Sequence, residues 1–195
     1  MSIKERTTVT SGIEWNTMLG LLTRLRNDGQ YREYLFIAAG CYLGLRAGDI
    51  LRLKWSEVMN KEVLTVIEKK TGKKRRLTLN QYLRDAFKFV ADELTRQGQF
   101  MEDSYIFSNR IGEPISIQFA NRQLHKIFTR YNVRVQNGST HTLRKTFGKR
   151  VWEMDNKSER ALIYLSEIFS HSSIRVTRKY IGITEKQIAD VYMKL

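Results

Sequence analysis

Positions 31–45, YREYLFIAAGCYLGL, are almost continuously apolar over a length too great for a strand, which predicts a helix buried on most sides. It runs directly into Arg46. A chain of 195 residues is long enough to bury about two thirds of the surface its unfolded form exposes, so a core around such a helix needs no staples. One proline, Pro114, and glycines that fall singly at turns leave no linker and no repeat, so a single domain over 1–195 is expected.

Apolar spacing predicts a first helix over 13–26, opened by a capping box of Ser11 and Glu14 and stopped at Asn27-Asp28-Gly29. A shorter helix is expected over 47–55. Alternating branched residues at 63–68, a turn at Thr71-Gly72 and a return over 75–79 read as a hairpin. Helices follow at 80–97, 117–131, 142–153, 158–169 and 174–180, with a short strand at 105–107. An amphipathic piece at 185–195, in a tail starting at about 184, is expected to dock on its own domain or on a neighbouring subunit. The fold class is mainly α with a small antiparallel β-sheet (α+β).

Lysine and arginine total 34 against 20 acidic residues, a net charge of +14 that favours a polyanionic partner. Nucleic acid fits better than a membrane surface, because the charge is spread along the chain and not gathered on one amphipathic helix. No apolar stretch reaches the roughly 18 residues that span a bilayer, and the N-terminus has no signal-peptide core, so a cytoplasmic protein is expected. The single cysteine, Cys41, excludes an intrachain disulfide and places the chain in a reducing compartment.

Four segments carry chemistry. His171 precedes Tyr180 by nine residues in HSSIRVTRKY, His141 and Arg144 stand three apart in HTLR, Arg46 lies in GLRAGD, and Lys70 lies in the hairpin run KKTGKKRR. Taken singly each has an ordinary reading: a tyrosine packed on a helix end, solvated arginines, a basic patch, a histidine at a helix start. His125 in the 117–131 helix reads as structural. Taken together they supply a nucleophile, phosphate clamps and proton-transfer groups. A phenol with a pKa near 10 needs positive surroundings and a base before it attacks phosphate. On one helix face His141 and Arg144 can meet a single phosphate, which the arginine fork grips through two oxygens. Arg46 can close the other side. A lysine near the hairpin tip can protonate a departing 5′ oxygen.

In order and spacing these motifs resemble the catalytic domain of the tyrosine recombinases, or phage integrases, over essentially the whole chain from Ser11. The resemblance implies that Arg46, His141 and Arg144 bind the scissile phosphate and that His171 donates a hydrogen bond to it. It makes Lys70 the general acid, His141 a base assisting Tyr180, and Tyr180 the nucleophile of a 3′-phosphotyrosyl intermediate. Asp49, three residues after Arg46, would orient Arg46 or His141. No metal or other cofactor is implied, and no carboxylate cluster suits magnesium.

Lys69, Lys73, Lys74, Arg75, Lys145, Arg175 and Arg178 are the expected DNA-backbone contacts, and Lys69, Lys73 and Lys74 remain alternatives to Lys70 as the acid. The implied partner is double-stranded DNA, with a monomer when free and a tetramer on DNA built by exchange of the C-terminal segment. Family members often begin with a core-binding domain, for which no room precedes Ser11, so weak and salt-dependent DNA binding is expected of this chain alone. Two departures stand out: Ser170 replaces the usual glycine before the HSS histidine, and Lys145 follows the HTLR arginine where histidine is common. A type IB topoisomerase and an inactive DNA-binding module are the alternative readings.

Overall fold

The apolar run forms the central helix of the computed structural model, which describes residues 10–183. This helix, α2 (Tyr31–Leu43), buries residues on every side, from Tyr34 through Cys41 to Leu43. It packs against α1 (Trp15–Asn27), α5 (Gln81–Arg96) and α7 (Thr140–Met154). The contact with α7 is close: a Cβ added at Gly40 would lie 2.6 Å from Leu143 Cβ. That approach seats the HTLR turn of α7 beside the end of α2.

At that end Gly44 adopts a left-handed conformation, φ 60°. A side chain there would be strained and would also meet the Phe147 ring at 2.5 Å. The chain turns, and Arg46 leads into α3 (Ala47–Ile50). The helix expected over 47–55 is therefore two short pieces, α3 and α4 (Trp55–Val58). What breaks it is distant in sequence: the amides of Trp55 and Ser56 bond to the carbonyls of Ser104 and Glu102 at 3.2 and 2.8 Å. The strand expected at 105–107 is reduced to an isolated bridge between Lys54 and Tyr105.

The hairpin pairs β1 (Val63–Ile67) with β2 (Lys74–Thr78), antiparallel, from Val63 opposite Thr78 to Ile67 opposite Lys74. Leu64 and Val66 point inward, as the alternation requires. The remaining helices are α6 (Ile117–Arg130), α8 (Glu159–Phe169) and α9 (Ile174–Ile181).

The Ser11 capping box does not form. Instead the Glu14 carboxylate caps α1 by accepting the amides of Asn16 and Thr17 at 2.8 and 3.1 Å. Ser11 is occupied elsewhere, its amide bonding to the Gln136 carbonyl and its hydroxyl accepting the Gln136 amide. The tail from about 184 lies outside the described residues. Among the described residues no helix is long and apolar enough to cross a membrane.

Candidate active site

The C-terminus of α8 organises the site. It closes in a Schellman motif: the Ser170 amide bonds to Glu167 O at 3.0 Å and the His171 amide to Ser166 O at 2.9 Å. Ser170 occupies the left-handed position at φ 53° and ψ 46°, the conformation that glycine adopts most easily. The expected result for Ser170→Gly is a gain of about 1 kcal/mol. In a chain of this size that is a melting-temperature rise of roughly 2–4 °C by calorimetry.

The last carbonyls of a helix lack partners within it and carry the negative end of its dipole. Here three arginines take them. Arg75 Nη1 donates to Ile168 O at 2.7 Å, Arg144 Nη2 donates to Phe169 O at 3.1 Å, and Arg46 Nη2 donates to the same oxygen at 3.4 Å. Arg144 is buried; its Nη1 also donates to Gly44 O at 2.8 Å, and its guanidinium lies 4.4 Å from the centre of the Phe169 ring. Burial, with the repulsion of Arg46 and Arg75, holds its pKa down to about 10. It remains a cation at neutral pH.

All six expected catalytic side chains, Arg46, Lys70, His141, Arg144, His171 and Tyr180, line one open cavity of about 840 Å³, together with Asp49 and Lys69. The Tyr180 ring makes edge contacts with Phe169 and His171 at 5.3 and 5.2 Å. Its hydroxyl is buried and makes no well-formed hydrogen bond among the described residues, with only a weak approach from the Arg144 guanidinium. Burial raises its pKa, against the opposing field of Arg144 and Arg46.

His171 is held through Nδ1, 3.0 Å from Thr177 Oγ1. Two arrangements satisfy this contact: if the Thr177 hydroxyl donates to Nδ1, the neutral ring carries its proton on Nε2, the form that donates to a phosphate; if it donates to Ser173 O, 3.5 Å away, Nδ1 is the protonated nitrogen. The pKa values of both site histidines are lowered, His171 by burial and the charges of Arg144 and Arg46, His141 by burial and the charges of Lys145 and Arg144. Titrated by NMR in the DNA-free protein, both should show midpoints below the ordinary 6.5. A depressed histidine favours folding in its neutral form, so the stability it contributes is present above pH 6.5 and is lost as pH falls toward the folded values. Midpoints at or above 6.5 would place the rings away from the arginines in solution.

Several expected roles change. The Asp49 carboxylate makes no hydrogen bond or ion pair with Arg46 or His141 among the described residues: its Oδ1 accepts the Lys69 amide at 3.0 Å and its Oδ2 is buried without a hydrogen-bond partner there, while its backbone amide donates to the Arg46 carbonyl at 3.0 Å. The carboxylate that holds Arg46 is Glu68, fully buried, which accepts Arg46 Nη1 at 2.8 Å, Thr71 Oγ1 at 2.8 Å and Arg75 Nη1 at 3.1 Å. Glu68 was legible in principle, because it continues the inward alternation of Leu64 and Val66, and an acid on that face needs cations.

Arg75, expected on the DNA backbone, is instead committed to Glu68 and α8. Lys145 is likewise drawn inward, its Nζ donating to Thr10 O at 2.7 Å and lying 5.2 Å from the centre of the Tyr180 ring. Lys69, Lys73, Lys74, Arg175 and Arg178 are exposed. Of the alternative lysines only Lys69 joins Lys70 at the cavity. His125 is exposed on α6 and is not a core residue.

The profile of the "Phage integrase family" matches residues 13–187. The chain belongs to the phage integrase family. It is a tyrosine recombinase catalytic domain, 32% identical over 163 residues to "Probable integrase/recombinase YoeC" of Bacillus subtilis, with 83% of each chain covered. To "Tyrosine recombinase XerH" of Campylobacter jejuni it is 23% identical over 152 residues, covering 76% of this chain but 40% of that one. The fold matches the crystal structure of XerA recombinase with a TM-score of 0.71 at 19% identity, over 94% of this chain and 64% of that one. It also matches the Tn1549 transposon integrase, solved in complex with transposon right end DNA, with a TM-score of 0.72 at 18% identity over 98% and 67% of the two chains.

Proposed function

We propose that this recombinase breaks and rejoins duplex DNA through a 3′-phosphotyrosyl intermediate formed by Tyr180, in integration, excision or inversion of a mobile element in the cytoplasm. The observation that carries this reading is the convergence of the nucleophile, the two arginines, both histidines and Lys70 on one cavity. The Tyr180 oxygen bonds to phosphorus as the bond from phosphorus to the 5′ oxygen breaks. The phenolic proton passes to neutral His141, and Lys70 protonates the departing 5′ oxygen, leaving a free 5′-hydroxyl. Arg46 and Arg144, already in place before DNA arrives, neutralise the charge that grows on the phosphate, and His171 adds a hydrogen bond. Attack by a 5′-hydroxyl from a second strand reverses the steps on a new partner, and the phosphodiester energy is conserved throughout.

The exposed cations Lys73, Lys74, Arg175 and Arg178 fit contact with the DNA backbone. Strand exchange requires several active sites, and a tetramer joined through the C-terminal segment is the assembly we propose for it. The test is incubation in EDTA with a pool of suicide duplexes, nicked and of randomised sequence, followed by a denaturing gel. A covalent band in the wild type and none in Tyr180→Phe supports the reading. An equal band in both, or none in either, overturns it.

A further inference from the structure

We propose that Glu68 is the positioning residue that fixes the Lys70 loop against the arginine clamp, so that one carboxylate sets both phosphate neutralisation and protonation of the leaving oxygen. This rests on the strand-transfer chemistry proposed above.

Both oxygens of the buried carboxylate are in use. Oε2 receives Arg46 Nη1 and Thr71 Oγ1, each at 2.8 Å, and Oε1 receives Arg75 Nη1 at 3.1 Å. Arg46 belongs to the clamp; Thr71 is the neighbour of Lys70. The main chain of Glu68 holds the same loop, its carbonyl accepting the amides of Thr71 and Gly72 at 3.3 and 2.8 Å and its amide donating to Lys73 O at 3.0 Å. Lys70 is therefore carried on a loop whose base and middle are tied to residue 68. Arg75, from the opposite strand, links Glu68 to Ile168 O, next to the carbonyl that Arg46 and Arg144 share.

The electrostatics require such a group. Three guanidinium ions meet at one helix C-terminus, whose dipole supplies only about half a negative charge. Without Glu68 their mutual repulsion would push Arg46, the most exposed of them, out of the clamp. With it the cluster keeps a net positive charge for phosphate. A lysine on an untethered loop loses the fixed geometry that proton transfer at hydrogen-bond distance requires.

A merely structural ion pair and a positioning residue differ in how they respond to the leaving group. A 5′-bridging phosphorothiolate departs as a thiolate and needs no proton, so it bypasses the general acid. The experiment compares single-turnover cleavage of matched oxygen and sulfur duplexes by the wild type, Glu68→Gln, Thr71→Val and Lys70→Ala. Glu68→Gln is expected to lose at least about tenfold on the oxygen duplex, toward the roughly 100-fold lower bound of general-acid catalysis, and to recover on sulfur the share that comes from the acid while keeping the share that comes from the loosened Arg46. Thr71→Val, an exposed loop change that leaves the arginines paired, should lose rate on the oxygen duplex alone and recover on sulfur, and it carries the test should Glu68→Gln fail to fold. Equal losses on both duplexes, or no loss for either variant, overturn the proposal. If sulfur does not rescue Lys70→Ala, while the wild type still cleaves, the fault lies instead in the assignment of the acid on which the proposal rests.

Discussion

Tyr180→Phe is expected to abolish covalent attachment to DNA while making the free protein more stable. Removing the attacking atom leaves no group to form the phosphotyrosyl bond, so the adduct should fall by at least roughly 10⁴-fold, the scale on which nucleophile deletions act. The stability effect follows from the hydroxyl's surroundings. It is buried among Phe169, His171 and Arg144 with no well-formed hydrogen bond among the described residues and only a weak approach from the Arg144 guanidinium, and a polar atom left without a partner typically costs about 1–3 kcal/mol. The field of Arg144 and Arg46 offsets part of this, which leaves a gain of about 1 kcal/mol for phenylalanine, measurable as a shift in urea midpoint. The ring contacts are unchanged by the substitution.

Alkali sharpens the comparison. A tyrosine whose folded pKa is raised stabilises the fold below its unfolded value of 10.0 and withdraws that stability as pH rises toward the folded value. The margin of Tyr180→Phe over the wild type should therefore widen above pH 10. A variant less stable than the wild type at neutral pH would show that the hydroxyl is bonded in solution.

What could be read from the sequence, and what could not, divides by the distance over which each feature is decided. The buried helix α2 followed from fifteen consecutive residues, and the hairpin from alternation and a Thr-Gly turn; both are local. The six polar groups at the cavity were legible because their motifs are short and ordered, although only the fold brings residues 46, 70, 144 and 180 together. The failures are long-range. Ser11 looked like a cap until Gln136, 125 residues on, took its hydroxyl. The 47–55 helix looked continuous until residues 102 and 104 claimed its amides. Arg75 sat in a basic run and read as a DNA contact, yet its strand position turns it toward Glu68 and the end of α8. Serine at 170 read as a departure from the family's glycine; its left-handed backbone shows why glycine is usual there.

Glu68→Ala carries the largest expected loss of stability, about 3–5 kcal/mol at neutral pH, the range for removing one partner of a buried ion pair. Against a typical total of roughly 5–15 kcal/mol that is a large share of the fold's margin. The magnitude comes from what is left behind. Arg75 is only 15% exposed and Arg46 27%, so neither guanidinium regains full hydration when the carboxylate goes. The Thr71 hydroxyl also loses its acceptor.

The pH dependence identifies the mechanism. Burial alone would raise the pKa of Glu68, but hydrogen bonds from Thr71, Arg75 and Arg46 outweigh it and carry it below 4.5. A depressed carboxylate contributes stability above its unfolded pKa and loses it as pH falls through the folded value. The difference between wild type and Glu68→Ala in denaturant unfolding should thus be full at pH 7 and shrink as the solution is taken well below pH 4.5. A difference that does not change with pH would assign the loss to the cavity left by the side chain and not to its charge. A small difference at pH 7 would mean that the α8 carbonyls hold the arginines unaided. If the charge term is confirmed, the arginines are held in place by the folded chain itself, so DNA binding need not supply the free energy to assemble them.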